Sequence, residues 1–168
     1  MNRPLYIIAA VLACILLVMV FWKPTMSADR LVKLALTAES EEVQIQATQQ
    51  LSQLGDSGIH GLRRVFKESK NDEVVAVSIM GLSRHRDYPS MLPIIAKLED
   101  PAENVRYAAS KAVTRLLGRD HRFPVRGTQE EQAKFKKKIE KDWEQYYGSE
   151  LFKYNERRFD LPDQEEMP

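Results

Sequence analysis

Six side chains of this 168-residue chain fall into three pairs with one common spacing: Gln49 and Gln53, Met80 and Arg84, Lys111 and Arg115. Partners within a pair stand four apart, and each pair follows the last by 31 positions. Amides, a flexible thioether and three cations offer hydrogen bonds, adaptable apolar contact and charge pairing. Lined up on one surface they would form a polar to basic groove for an acidic or amphipathic protein segment. The competing interpretation is an ordinary solvated helix face.

Signals for catalysis are missing. The sequence has no phosphate-cradling glycine loop, no Gly-x-Ser-x-Gly elbow and no zinc-protease pair of histidines four apart. His60, His85 and His121 lie on separate elements without cysteine or aspartate at ligand spacing, so neither a metal nor another cofactor is expected. The acid pairs Glu41-Glu42 and Asp72-Glu73 stand at expected helix starts, where carboxylates complement the positive end of the helix dipole. Cys14 is the only cysteine, which excludes an internal disulfide and a cysteine-built metal site. A binding protein rather than an enzyme is expected.

The elements that must position the six residues are legible as a repeat. Val43, Val74 and Val105 superpose at the 31-residue offset, as do Ala47, Ser78 and Ala109, and Leu51, Leu82 and Val113. Val43, Ala47, Leu51 and Leu54 follow steps of four, four and three, as do Val105, Ala109, Val113 and Leu116, with Val74, Ser78 and Leu82 matching the first two steps, and these describe the buried stripe of an amphipathic helix. Gln49 and Gln53, with their counterparts, stand ~200–240° around from the Ala47 position at ~100° per residue, and so share an exposed stripe if the helices stack in register. Shorter apolar-faced segments precede these helices over Ala28 to Thr37, Ile59 to Phe66 and Tyr88 to Leu98. Ser40, Asn71 and Asp100 are the expected N-caps of the longer helices, with Asp100-Pro101-Ala102-Glu103 reading as a capping box and Gly118 ending the helix Glu103 to Leu117.

Alternating helices with short connections give antiparallel pairs that bury their apolar faces only by leaning on neighbours. The run Asn104-Val105-Arg106-Tyr107-Ala108-Ala109-Ser110-Lys111-Ala112-Val113 resembles the second-helix signature of HEAT repeats. The short period is similar to the bacterial subtype first named for phycobilisome lyases, and the resemblance covers roughly residues 27–120. Gln44 and Val75 stand where the signature has the arginine found at Arg106, and His85 replaces an apolar leucine. The resemblance implies a right-handed stack of helix pairs used for protein–protein contact, with Arg106 paired to an acid between units. The lyase members attach bilin pigments to cysteines, so chromophore attachment or another enzyme subunit is the alternative function.

Before the repeats, Leu5 to Trp22 carries no charge and is ~18 residues long, about the minimum for a membrane-spanning helix. Tyr6, Phe21 and Trp22 would sit at the interfaces, and Lys23-Pro24 would end the span. A cleaved secretory signal, a lipoprotein signal ending at Cys14 and a buried core helix are the competing interpretations. Lys23, Arg30 and Lys33 after the span favour a cytoplasmic body, whereas the very short N-terminal tail carrying Arg3 favours a body on the far side. The reading adopted is a single-pass bacterial inner-membrane protein with its body outside the cytoplasm.

After the repeats, Thr128-Gln129-Glu130-Glu131 is a capping box opening a helix whose Phe135, Ile139, Trp143 and Tyr146 or Tyr147 share one face. That face is expected to cap the solenoid end, with a lysine-rich face opposite. Removing Arg3 and Lys23 leaves 23 basic and 24 acidic side chains over residues 24–168, a balance that lacks the positive field of a nucleic-acid binder. The expected organisation is an anchor over 1–26, a HEAT-like domain over 27–120, an aromatic and basic capping segment over 121–154, and a flexible acidic tail over 155–168. The fold class is all-α, a short α-solenoid of HEAT-like hairpins. The expected function is a membrane-anchored scaffold that holds a protein partner as an adaptor or assembly factor.

Overall fold

The computed structural model describes residues 26–147. These form seven α-helices and no strand: α1 Ala28–Thr37, α2 Glu41–Gln53, α3 Asp56–Glu68, α4 Asp72–Arg84, α5 Met91–Ala96, α6 Glu103–Leu117 and α7 Gln129–Tyr147. Short 3-10 turns, Tyr88–Ser90 and Lys97–Glu99, flank α5. Pro89 and Pro93 punctuate this stretch, and the single segment expected over Tyr88 to Leu98 is accordingly three short pieces. The fold is all-α among the described residues. The expected anchor, Leu5 to Trp22, and the acidic tail, 155–168, lie outside them. No described helix is long and apolar enough to cross a membrane.

Three hairpins, α1 with α2, α3 with α4 and α5 with α6, stack in a solenoid-like row in which α2, α4 and α6 pack side by side. The aligned positions explain the packing. Ala47, Ser78 and Ala109 are buried, as are Leu51, Leu82 and Val113, so small residues sit where helices approach and larger ones fill the space between the layers. Val74 and Val105 are fully buried, but Val43 is 39% exposed. It stands in the first turn of α2, at the end of the row where the described residues supply no earlier hairpin to cover it.

Close approach between α2 and α3 depends on Gly58, where an added β-carbon would overlap the carbonyl oxygen of Leu51. Helix α3 begins a turn earlier than its apolar pattern, at Asp56 instead of Ile59. At the other end of the row α6 stops where expected, with Gly118 in the left-handed region at φ 65°.

The caps follow expectation in part. Asn71 accepts hydrogen bonds from the backbone N–H of Glu73 at 2.9 Å and of Val74 at 3.3 Å. Ser40 occupies the N-cap of α2 without a side-chain bond. The capping box expected at Asp100 does not form: Ala102 is the N-cap of α6, Asp100 accepts from the Ala102 N–H at 3.0 Å, and Glu103 turns outward to Arg126. Pro101 lies two residues too early for the first helical position, which displaces the box from the helix start. The box at Thr128 and Glu131 does form, with reciprocal bonds of 2.9 and 3.2 Å.

Helix α7 lies across α5 and its following turn. Ile139 and Trp143 are buried there, Phe135 and Tyr146 pack at the margin, and the Trp143 ring stacks on Tyr88 with centroids 6.2 Å apart. Lys136 reaches Glu99 at 2.5 Å, while Lys134, Lys137, Lys138 and Lys141 remain exposed. An aromatic face of this size covers apolar surface that a row of hairpins would otherwise leave open at its end.

Candidate functional site

An open groove of ≈ 780 Å³ runs diagonally over the face built by α2, α4 and α6. It takes Gln49, Ser52 and Gln53 from the C-terminal half of α2, Glu73 to Arg84 along α4, and Glu103 to Ala108 from the N-terminal half of α6. Four of the six residues singled out from the sequence, Gln49, Gln53, Met80 and Arg84, line it together. Lys111 and Arg115 do not: the repeat-equivalent Glu73 and Asn104 stay level, but the groove runs diagonally and crosses α6 at Glu103 to Ala108, short of those two residues. Lys111 instead places its ammonium 5.4 Å from the ring centroid of Tyr107, and Arg115 is exposed a turn further on.

The lining is ordered by chemistry. Glu73 and Glu103 mark one end, and Asn104 holds the Glu73 carboxylate at 2.9 Å. Arg126 donates to Glu103 at 2.6 Å, and that hydrogen bond raises the guanidinium above its ordinary pKa. Ala76, Val77, Met80 and the half-exposed Tyr107 form an apolar middle. Gln49, Gln53 and Arg84 form the other end, and among the described residues their side chains have no hydrogen-bond or ionic partner. Ser52 in the floor is 6% exposed, and its hydroxyl is likewise without a partner. That hydroxyl lies beneath the surface, so three exposed polar groups with unspent capacity, Gln49, Gln53 and Arg84, converge on one end of the groove.

The framework holding these groups is rigid for identifiable reasons. His85 caps α4, and its Nε2–H donates to the Ser52 carbonyl at 2.8 Å, locking α4 to α2 at the groove floor. An added β-carbon at Gly81 would stand 3.2 Å from Ser52 Cβ, so the two helices are nearly in backbone contact there. Below, Arg63 of α3 binds Asp87 through Nε at 3.0 Å, and Ser90 donates to the same carboxylate. The Asp87 hydrogen bond, together with its charge, outweighs desolvation and raises the Arg63 pKa.

Arg106 departs from the acid pairing that the family resemblance implied. It donates to the carbonyls of Asp100 and Pro101, both at 2.8 Å, and to that of Val125 at 3.0 Å. The role is structural, tying α6 to the loops on either side. Gln44, at the equivalent position in α2, donates in the same way to the Ala38 carbonyl at 2.7 Å. His121 is buried against α7, where its Nε2–H donates to Asp142 at 2.9 Å.

Sequence reasoning missed Ser52, Glu73, Glu103, Asn104 and Tyr107 as groove residues. Tyr107 left a signal: an aromatic residue stands where the preceding unit has Ala76. A scan against protein-family models finds no match for this chain, and neither the curated proteins nor the solved structures yield one.

Proposed function

We propose that this chain is a membrane-anchored scaffold of HEAT-like hairpins that holds a segment of another protein in the groove across α2, α4 and α6. The observation that carries this reading is the convergence of three exposed polar groups without partners, Gln49, Gln53 and Arg84, beside an apolar strip. Such a strip with hydrogen-bonding groups at its edge suits a peptide: apolar side chains fill the middle and main-chain groups meet the amides. The mixed lining, with Glu73 and Glu103 at one end, favours a protein occupant over a nucleic acid. Binding, with no chemical step, is the activity proposed, and the apolar segment Leu5 to Trp22 keeps it at a membrane.

The test is co-purification of the full chain in detergent with whatever it holds, compared with Arg84→Glu and with Lys134→Glu/Lys138→Glu on the exposed face of α7. A groove partner is lost from the first variant and kept by the second. Equal retention by all three proteins would contradict the reading. A reporter active on one side of the membrane, fused to the C-terminus, tests the proposed placement of the body outside the cytoplasm.

A further inference from the structure

We propose that residues 157–166 of this same chain occupy the groove in cis and compete there with the partner, an inference that rests on reading the groove as a peptide site. The groove has a charge order, acids at Glu73 and Glu103, an apolar middle at Val77, Met80 and Tyr107, and amides with a cation at Gln49, Gln53 and Arg84. The C-terminal sequence carries the complementary order: Arg157 and Arg158, then Phe159 and Leu161, with Asp160 between them on the other side of an extended chain, then Asp163, Glu165 and Glu166.

Lengths agree as well. Glu73 and Arg84 lie eleven positions apart on α4, ~16 Å at 1.5 Å per residue. Arg157 and Asp163 lie six apart, ~20 Å at ~3.3 Å per residue in an extended chain, enough to reach from one end to the other. Pro162 biases Leu161 toward that extended conformation, and the two-residue spacing puts Arg157, Phe159, Leu161 and Asp163 on one side of such a strand. The main chain then offers hydrogen bonds to Gln49 and Gln53.

The tether suffices. Helix α7 ends at Tyr147, the neighbouring Tyr146 ring lies 6.2 Å from Tyr88, and Tyr88 follows Arg84 by four residues. The chain therefore leaves α7 near the Arg84 end of the groove. Residues 148–156 reach at most ~30 Å when extended, which exceeds the ~16 Å of the groove and leaves ~14 Å for the step from Tyr147 to its Arg84 end. Residues 1–25 contain no acid and so have nothing to set against Arg84.

Disulfide trapping in the full chain, purified in detergent with Cys14→Ser, tests the proposal. Met80→Cys combined with Phe159→Cys is expected to close an intramolecular disulfide about tenfold faster than Leu92→Cys combined with Phe159→Cys, because occupation of the groove holds residue 159 beside Met80 whereas the shared tether gives both pairs the same random encounter. Leu92 is exposed on α5, outside the groove, and reports random encounter. Adding Arg157→Glu/Arg158→Glu should bring the first rate down to the second. Equal rates, no effect of charge reversal, or a disulfide formed only between two chains would overturn occupation in cis. In parallel, a fluorescent synthetic peptide of residues 155–168 is titrated into the chain carrying Arg157→Glu/Arg158→Glu, with and without Arg84→Glu. Binding that weakens about tenfold with Arg84→Glu, but without the cis disulfide, would overturn the proposal and leave the groove reading standing. Absence of both signals overturns both.

Discussion

Arg63 and Asp87 form a two-point ion pair between α3 and the turn before α5, with the carboxylate of Asp87 almost wholly buried. Neither side chain lies on the repeat's apolar stripe, yet the pair joins the second hairpin to the third. Arg63→Ala strands the carboxylate with Ser90 as its remaining side-chain donor. Loss of one partner of a buried pair costs ~3–5 kcal/mol, and the surviving hydroxyl bond places the expected loss near ~3 kcal/mol in urea unfolding. A loss under ~1 kcal/mol would show that the turn reorganises to hydrate Asp87.

Gly58 carries a second structural demand. Because a β-carbon there meets the backbone of Leu51 rather than the end of a flexible side chain, Gly58→Ala must push α3 away from α2. Overpacking of this kind costs ~1–3 kcal/mol, even though alanine is the better helix former. The midpoint of thermal unfolding should fall, whereas unchanged or higher stability would contradict the packing described.

The aromatic junction between α5 and α7 is expected to open in alkali. Burial, reinforced by a hydrogen bond with Tyr146, pushes the Tyr88 hydroxyl up to about 12. A folded-state pKa above the ordinary ~10 for tyrosine means that the neutral form is held by the fold. Its contribution is complete below ~10 and is lost as pH rises through about 12. Fluorescence of Trp143, compared with Tyr88→Phe, follows the release; with phenylalanine the transition should shift to higher pH.

An acid transition belongs to Asp142, the residue of α7 next to Trp143. Burial raises the Asp142 pKa, but hydrogen bonds from His121 and Arg119, with their charges, outweigh it and the net shift is downward from 3.8. A depressed folded-state value stabilises the protein above the ordinary carboxylate pKa, and that contribution disappears as pH falls through the lowered one. Asp142→Asn should therefore flatten the acid limb of stability against pH, and an unaltered limb would exclude this contact as its source.

Much of the architecture was legible because the repeat writes each position three times. Helix α6 could be bounded to the residue, since Val105, Ala109, Val113 and Leu116 set its stripe and Gly118 ends it. Val43 shows where repetition misleads: an end unit keeps the apolar pattern without the neighbour that buries it. The site was legible only in half. A helix projection places Gln49 with Gln53 and Met80 with Arg84, but it assumes that a groove follows equivalent positions. The groove instead crosses the helices diagonally, which excludes Lys111 and Arg115 and admits Glu73 and Tyr107. The partners of Arg106 were out of reach for a related reason, because backbone carbonyls at Asp100, Pro101 and Val125 leave no side-chain signature.

The most direct measurement of the proposed activity is site-specific photocrosslinking in native membranes, with a photoreactive side chain at Tyr107 in the groove or at Leu92 on the opposite layer. A discrete adduct to another protein from Tyr107, absent from Leu92 and reduced about tenfold by Arg84→Glu, is the outcome expected of a groove that holds its partner with a charge-assisted contact worth ~1.4 kcal/mol. Adducts of equal yield from both positions, or one from Tyr107 that is indifferent to Arg84→Glu, would contradict it.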